Sequence, residues 1–184
     1  MPDDARNDEE LIADMARGNA AALATLVRRH QARVLALAYR MLGDWDHAED
    51  IGQEAFLRIY RSAGRYRGKS LVSTWLYRIV VNLCLDHQRR RKAVVPVEDL
   101  DTIADSAARR DPLEADETAA AVRKAVLELN ERQRIAVLLH RFEDLSHAQI
   151  SEITGWSVSA VESLLVRAYE TLRGKLRKSV ESGQ

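Results

Sequence analysis

The chain has 184 residues, with 28 Lys and Arg against 28 Asp and Glu and 46% apolar residues. That composition is ordinary for one large or two small folded domains and excludes a disordered chain. The single cysteine, Cys84, excludes an internal disulfide and a multi-cysteine zinc site, and no apolar run approaches the roughly 18 residues of a membrane span. The acidic N-terminus lacks a signal peptide. We therefore expect a cytoplasmic protein that holds no metal and no cofactor.

Charge is segregated along the chain although the total is zero. Residues 1–57 carry net −5, residues 58–92 net +9 and residues 93–121 net −6. The basic stretch also holds Tyr60, Tyr66, Trp75 and Tyr77. An acidic helix followed by a basic surface with aromatic side chains suggests two partners, a basic protein surface and the phosphates and bases of nucleic acid.

Helix-forming residues dominate and strand signals are nearly absent, which predicts an all-α fold. Helical spacing and caps predict four helices in the first half, over Asp8–Arg17, between Asn19 and Gly43, from Asp44 or Asp46 to Arg61, and over Thr74–Arg91. A loop is predicted over Ser62–Ser73. Trp75 shares the apolar stripe of the fourth helix, which favours the core over a stacking platform.

The polar side of the fourth helix carries Arg78, Asn82 and Arg89. The run Arg89–Lys92 has four consecutive cations, more than a helix C-terminus needs to complement its dipole. Ala93–Thr118 has scattered acids, two prolines and no sustained period, which predicts a flexible acidic linker.

The second half predicts helices over Ala119–Leu129 and Glu131–Phe142, then a short helix capped by Ser146 and closed by Gly155, then a final helix. Short helix, glycine turn and longer helix are typical of a helix-turn-helix, in which the second helix reads base edges in the major groove. A plain helical hairpin would have the same elements. The exposed positions expected at the start of the final helix are Ser157, Ser159, Ala160, Glu162, Ser163 and Arg167.

Three motifs, in order, are DHAEDIGQEAFLRIY, STWLYRIVVNLCLDHQRRR and LNERQRIAVLLHRFEDLSHAQISEITGWSVSAVES. Together they resemble bacterial RNA polymerase sigma factors of the extracytoplasmic-function (ECF) group. The resemblance implies a domain over residues 1–92 that binds core polymerase and recognises and melts the −10 element. It implies a linker over residues 93–118 that threads toward the active-site channel, and a domain over residues 119–184 that reads the −35 element. It also implies an anti-sigma partner and no enzymatic activity.

The same resemblance implies roles for individual residues. Core-polymerase contacts fall on Asp50, Gln53 and Glu54, and the exposed positions of the final helix become the −35 contacts. A base of the −10 element would be flipped into a pocket formed partly by the loop Arg67–Ser73. The −10 contacts it implies are Arg65, Tyr66, Arg67, Lys69, Tyr77, Arg78, Asn82, Arg89, Arg90 and Arg91.

The final helix departs from the family pattern. Many relatives have a glycine-threonine pair, a lysine and an arginine where this chain has Ser159, Ala160, Glu162 and Leu164, and a further arginine where it has Tyr169. Glu162 could accept a hydrogen bond from cytosine N4 or could simply be solvated. The alternative function is a stand-alone helix-turn-helix regulator, which would leave the acidic helix and the basic aromatic stretch of residues 48–92 without a role. No nucleophile-elbow, P-loop or HExxH signature supports an enzyme.

Overall fold

The computed structural model describes residues 6–94 and 117–182, and every regular element in these two ranges is helical. The chain divides into two compact units, Met1–Val94 and Val95–Gln184. The predicted all-α class with a helix-turn-helix in the second unit is confirmed. Most of the predicted linker, residues 95–116, lies outside the described residues. No helix among the residues that can be described has the length and apolar character needed to cross a bilayer.

Residues 6–94 of the first unit form four helices and one short turn. They are α1 (Asp8–Ala16), α2 (Ala20–Leu42), α3 (Trp45–Ser62), a 3₁₀ turn (Ala63–Arg65) and α4 (Val72–Val94). The side chains of Asn19 and Asp44 accept backbone N–H groups at the starts of α2 and α3. Gly43 ends α2 with a φ of 74°, a conformation that glycine adopts without steric cost.

The connection between α3 and α4 is shorter than the sequence predicted. The predicted loop over Ser62–Ser73 is replaced by helix and 3₁₀ turn up to Arg65 and by helix again from Val72. Only residues 66–71 remain irregular. The basic residues at the end of α3 are therefore held on helical backbone, which fixes their spacing on one side of the molecule.

The core of the first unit lies between α2, α3 and α4. α3 packs on α2 and on α4, and α1 covers α2. Leu26, Leu37 and Ile59 are fully buried, and each such side chain stabilises the fold by about 1.5–3 kcal/mol relative to an exposed one. A Cβ atom added at Gly52 would come within 2.9 Å of Leu35 Cδ2, so glycine permits the close approach of α2 and α3.

The second unit contains α5 (Glu117–Leu127), α6 (Glu131–Val137) continuing as a π-helical turn (Leu138–Phe142), α7 (His147–Thr154) and α8 (Val158–Ser182). The predicted helix Glu131–Phe142 is therefore one helix whose second half is π-helical. Ser146 and Gln149 form a reciprocal capping box at the start of α7. Gly155 makes the turn into α8 with a φ of 74°. The core of this unit is formed by Ile135, Leu138, Leu139, Ile150, Val161 and Leu165.

Candidate polymerase and nucleic-acid interfaces

The outer face of α3 is acidic and carries one exposed apolar side chain. Ala48, Ile51 and Ala55 turn inward, which leaves Asp50 and Gln53 exposed on the opposite side. Leu57 follows one turn later and is 43% exposed. We call Asp50, Gln53 and Leu57 the α3 outer face. An exposed leucine beside acidic groups is a surface suited to a partner with an apolar contact and basic residues.

Glu54 lies beside this face, but its side chain is already paired. It is half-buried and its Oε1 atom accepts a hydrogen bond from Arg58 Nε at 2.7 Å. The predicted contact residue is thus already paired within α3. Asp50 and Gln53 are the exposed members of the predicted polymerase-contacting trio.

A cleft of about 640 Å³ opens where the end of α3, the 3₁₀ turn, the connecting loop and the start of α4 meet. Gly68 turns this loop with a φ of 66°. Five cations and two aromatic rings surround the opening, which we call the basic cleft. Its lining residues are Arg58, Arg61, Ser62, Arg65, Tyr66, Arg67, Lys69, Ser70, Trp75 and Ile79.

The two aromatic rings of the basic cleft stack on one another. The ring centroids of Tyr66 and Trp75 are 5.2 Å apart and their planes differ by 25°. The Tyr66 hydroxyl donates to the carbonyl of Ser70, which fixes the loop against the ring. Trp75 is half-buried and lines the cleft. The prediction that Trp75 belongs to the core is therefore wrong.

Tyr77 was predicted to contact the −10 element, but the structure buries it. It is only 2% exposed, so its ring belongs to the core of the first unit and cannot present its face to DNA in this fold. The apolar arc of α4 is turned toward Tyr77 and Val81, which are buried, and away from Trp75 and Ile79, which line the cleft.

The structure gathers the four loop and turn candidates, Arg65, Tyr66, Arg67 and Lys69, around the basic cleft. The remaining candidates lie further along α4, where Asn82, Arg89 and Arg90 are exposed and Arg78 and Arg91 are half-buried. Sequence reasoning did not assign Arg58, Arg61 and Trp75 to the site. For Arg58 and Arg61 the signal was their spacing with Arg65 at i, i+3 and i+7, which places them on one side only because helical backbone continues from α3 through the 3₁₀ turn to Arg65.

The end of α4 carries the consecutive cations Arg89, Arg90 and Arg91. Burial, followed by the charges of His47, Arg91 and Arg90, lowers the pKa of His87, while Asp44 opposes the shift. The rings of His47 and His87 are 4.4 Å apart. Such a surface attracts anions such as DNA phosphates.

The start of α8 uses its hydroxyl groups partly within the helix. Ser157 Oγ accepts the backbone N–H of Ala160 at 3.2 Å and caps the helix, and Ser163 Oγ donates to the carbonyl of Ser159 at 2.9 Å. Ser159, Ser163 and Arg167 are exposed, and Ala160 is half-buried. Behind the turn, the Arg132 guanidinium lies 4.6 Å from the centre of the Trp156 ring.

Glu162 is exposed and lies opposite α7. Its Oε1 atom is 3.5 Å from His147 Nδ1, so the carboxylate has a cationic partner whenever His147 is protonated. Because Glu162 is exposed, a contact with cytosine N4 and simple solvation both stay predictions for this position.

No group of His, Cys, Asp and Glu side chains within residues 6–94 and 117–182 could hold a metal ion. Cys84 is fully buried in α4. Burial raises the pKa of its thiol to about 12, so it is a neutral packing group.

Comparison with known proteins identifies both units. Residues 26–94 match the family model Sigma-70 region 2, and residues 119–172 match Sigma-70, region 4. The chain is 34% identical over 176 residues to the RNA polymerase sigma-H factor of Pseudomonas aeruginosa, covering 90% of this chain and 91% of that protein. It is 38% identical over 165 residues to the ECF RNA polymerase sigma factor SigM of Mycobacterium tuberculosis, covering 89% and 81%.

Solved structures give the same result at the level of the fold. The sigma factor RpoE of Bartonella quintana, in complex with the anti-sigma factor NepR, matches with a TM-score of 0.72 at 21% identity and covers 84% of this chain and 96% of that one. CnrH, in complex with the cytosolic domain of CnrY, matches with a TM-score of 0.66 at 25% identity and covers 96% and 99%. Because it is 34% and 38% identical to the two sigma factors above over most of its length, the chain belongs to the ECF group of bacterial RNA polymerase sigma factors.

Proposed function

We propose that three separate surfaces of this sigma factor divide the work of promoter-specific initiation. The α3 outer face with Glu54 binds core polymerase, the basic cleft and the basic end of α4 hold the −10 element, and the start of α8 reads the −35 element. On this proposal residues 1–92 and 119–184 are the two working domains, and residues 93–118 connect them. The protein acts without catalysis of its own, in the cytoplasm, where it meets polymerase and promoter DNA.

The basic cleft fits a single base with its flanking phosphates. Taking a base out of the stack costs a few kcal/mol, and stacking on an aromatic ring returns about 1–3 kcal/mol per base. The stacked Tyr66 and Trp75 rings supply that surface, and five cations around them offset the phosphate charge. This aromatic pair inside a ring of cations is the observation that carries the −10 assignment.

The polymerase assignment rests on exposure and charge. Asp50 and Gln53 are exposed on a helix whose opposite side is fully packed. Leu57 is an apolar side chain exposed to water, which a partner would bury. The Glu54–Arg58 ion pair joins this surface to the basic cleft, because Arg58 also lines the cleft.

The −35 assignment rests on the helix-turn-helix formed by α7, Gly155 and α8. The first turns of α8 expose Ser159, Ser163 and Arg167, which could contact base edges and phosphates. We also propose an anti-sigma partner, because the sigma factor RpoE, whose fold this chain shares, was solved in complex with the anti-sigma factor NepR.

The test of the −10 assignment is binding of a fluorescent single-stranded oligonucleotide carrying the −10 sequence to the holoenzyme. Trp75→Ala should weaken binding about 5- to 150-fold, because one stacking surface is lost. Tyr60→Ala is the matched control, since Tyr60 is half-buried on α3 and outside the cleft lining. Equal affinity of wild type and Trp75→Ala would remove the cleft from the −10 site.

A further inference from the structure

Four polar side chains from three elements, the π-helical turn, α7 and α8, lie close together. His147 Nδ1 lies 3.5 Å from Glu162 Oε1, and the rings of His147 and His140 are 5.3 Å apart. His140 Nδ1 is in turn 3.0 Å from the Tyr169 hydroxyl. We call His140, His147, Glu162 and Tyr169 the His147 cluster. Glu162 and Tyr169 are two of the positions at which this chain departs from the cationic pattern of its relatives.

The charges of the His147 cluster are few and can be assigned. Burial raises the pKa of Tyr169, although the charge of Arg141 opposes the shift, so the phenol stays neutral. Glu162 and Tyr169 face the histidines from α8, and Arg141 adds a cation from the π-helical turn. The side chains of His147 and Glu162 are 37% and 57% exposed.

We propose that His147 is a proton-dependent positioning residue, which neutralises and holds Glu162 so that the start of α8 can approach the DNA. The inference rests on the proposed function of α8 as the −35 reader. When His147 is protonated, the Glu162 carboxylate has a cationic partner 3.5 Å away. When it is neutral, Glu162 brings an uncompensated negative charge to the phosphates, which repel it.

The sign of the pH dependence follows from the charges. The ordinary pKa of histidine is about 6.5, and DNA phosphates favour its protonated form. The DNA complex therefore binds more protons than the free protein, and affinity falls as pH rises. One proton gives a slope of at most about tenfold in affinity per pH unit.

The experiment measures the affinity of the holoenzyme for a labelled duplex at pH 6.0 to 8.5 and constant ionic strength. The duplex carries a −35 sequence selected by the holoenzyme from a randomised pool, and a scrambled −35 duplex corrects for general binding. Between pH 6 and pH 8 we expect the wild-type affinity to fall about three- to tenfold, within the one-proton limit. His147→Gln should flatten this profile. At pH 8, Glu162→Gln should bind as tightly as wild type does at pH 6, because it leaves no carboxylate for the phosphates to repel.

The matched control is His30→Gln. His30 pairs with Asp8 in the first unit, so this variant should keep the wild-type slope. A His147→Gln profile as steep as that of wild type, or a wild-type affinity that rises with pH, would overturn the inference. Arg167→Ala at pH 7 separates the two proposals. If it leaves affinity for the selected duplex unchanged, the −35 assignment of α8, on which this inference rests, fails. If it weakens binding while His147→Gln keeps the wild-type slope, only this inference fails.

Discussion

Removal of one cation from the basic cleft should change the salt dependence of −10 binding by a predictable amount. Arg61 is the chosen position, because it is exposed at the end of α3 and lines the cleft beside Arg58 and Arg65. Binding of a single strand releases counterions, so the logarithm of affinity falls with the logarithm of salt by about 0.7 for each phosphate neutralised. The effect of Arg61→Ala therefore measures whether its guanidinium neutralises a phosphate.

The magnitude follows from the five cations around the cleft. If each neutralises one phosphate, the cleft contributes a slope of about −3.5 and an affinity loss of roughly 130-fold between 50 and 200 mM salt. Arg61→Ala should reduce that slope by about 0.7, which lowers the loss over this salt range by about 2.6-fold. Arg58 should contribute less than the other four, since its guanidinium is shared with Glu54.

The assay is equilibrium binding of a labelled single-stranded −10 oligonucleotide to the holoenzyme at four salt concentrations between 50 and 200 mM. Arg33→Ala is the control, because Arg33 is an exposed cation of α2 that does not line the cleft. An Arg61→Ala slope equal to that of wild type would refute the placement of phosphates at this cleft. An equal loss of slope in Arg33→Ala would show a general charge effect.

Three further predictions concern the first unit. Asp50→Lys should weaken binding to core polymerase by tenfold or more without lowering the melting temperature, because Asp50 is exposed on the α3 outer face. The control in the same pull-down titration is Glu9→Lys, on the exposed side of α1. Equal affinities of Asp50→Lys and wild type for core polymerase would remove this face from the interface. Cys84, whose thiol pKa is raised to about 12 by burial, should react with a disulfide reagent at pH 8 only when the protein unfolds, and a fast native reaction would contradict its burial. Burial alone would raise the pKa of Asp44, but the His47 backbone N–H, the His47 charge and ring, and the Asp46 N–H hold it below its usual value. Stability from this carboxylate is therefore present above its unfolded pKa and lost as pH falls through the lower folded pKa. Asp44→Asn should keep the helix cap but flatten the loss of melting temperature below about pH 4. Asp44→Ala should lower the free energy of unfolding by about 1 kcal/mol at neutral pH, because the cap is lost. If the melting temperature of Asp44→Asn follows that of wild type across this pH range, the charge of Asp44 does not contribute to stability.

The sequence predicted those parts of the fold that depend on neighbouring residues. Asn19, Asp44 and Ser146 start their helices because a short polar side chain can accept a backbone N–H two or three residues later. Gly43 and Gly155 end theirs because only glycine takes a positive φ without cost. These are local interactions, so sequence spacing is sufficient to place them.

The orientation of α4 could not be predicted in the same way. Trp75, Leu76 and Tyr77 are consecutive and successive residues differ by about 100° around the helix, so periodicity places an apolar arc only to within one residue. The arc that is buried is the one centred on Leu76 and Val80 and including Tyr77. It is set by how α4 packs against α2 and α3, which leaves Trp75 at the cleft.

The Glu54–Arg58 pair could have been predicted from the sequence, whereas the His147 cluster could not. Glu54 and Arg58 are four residues apart on one helix, a spacing that sequence alone could have identified. His140, His147 and Tyr169 come from the π-helical turn, α7 and α8. Their meeting depends on the packing of three elements, and the π-helical turn itself had no signal in the sequence.

The most direct test of the central claim is run-off transcription with core RNA polymerase, with and without this protein, on the DNA upstream of its own gene. The account predicts a discrete new transcript that appears only when the protein is added and is lost with Asp50→Lys. Direct binding to core polymerase is measured in parallel. Absence of both the transcript and polymerase binding, together with tight binding of duplex DNA by the free protein, would contradict the account and indicate a stand-alone DNA-binding regulator.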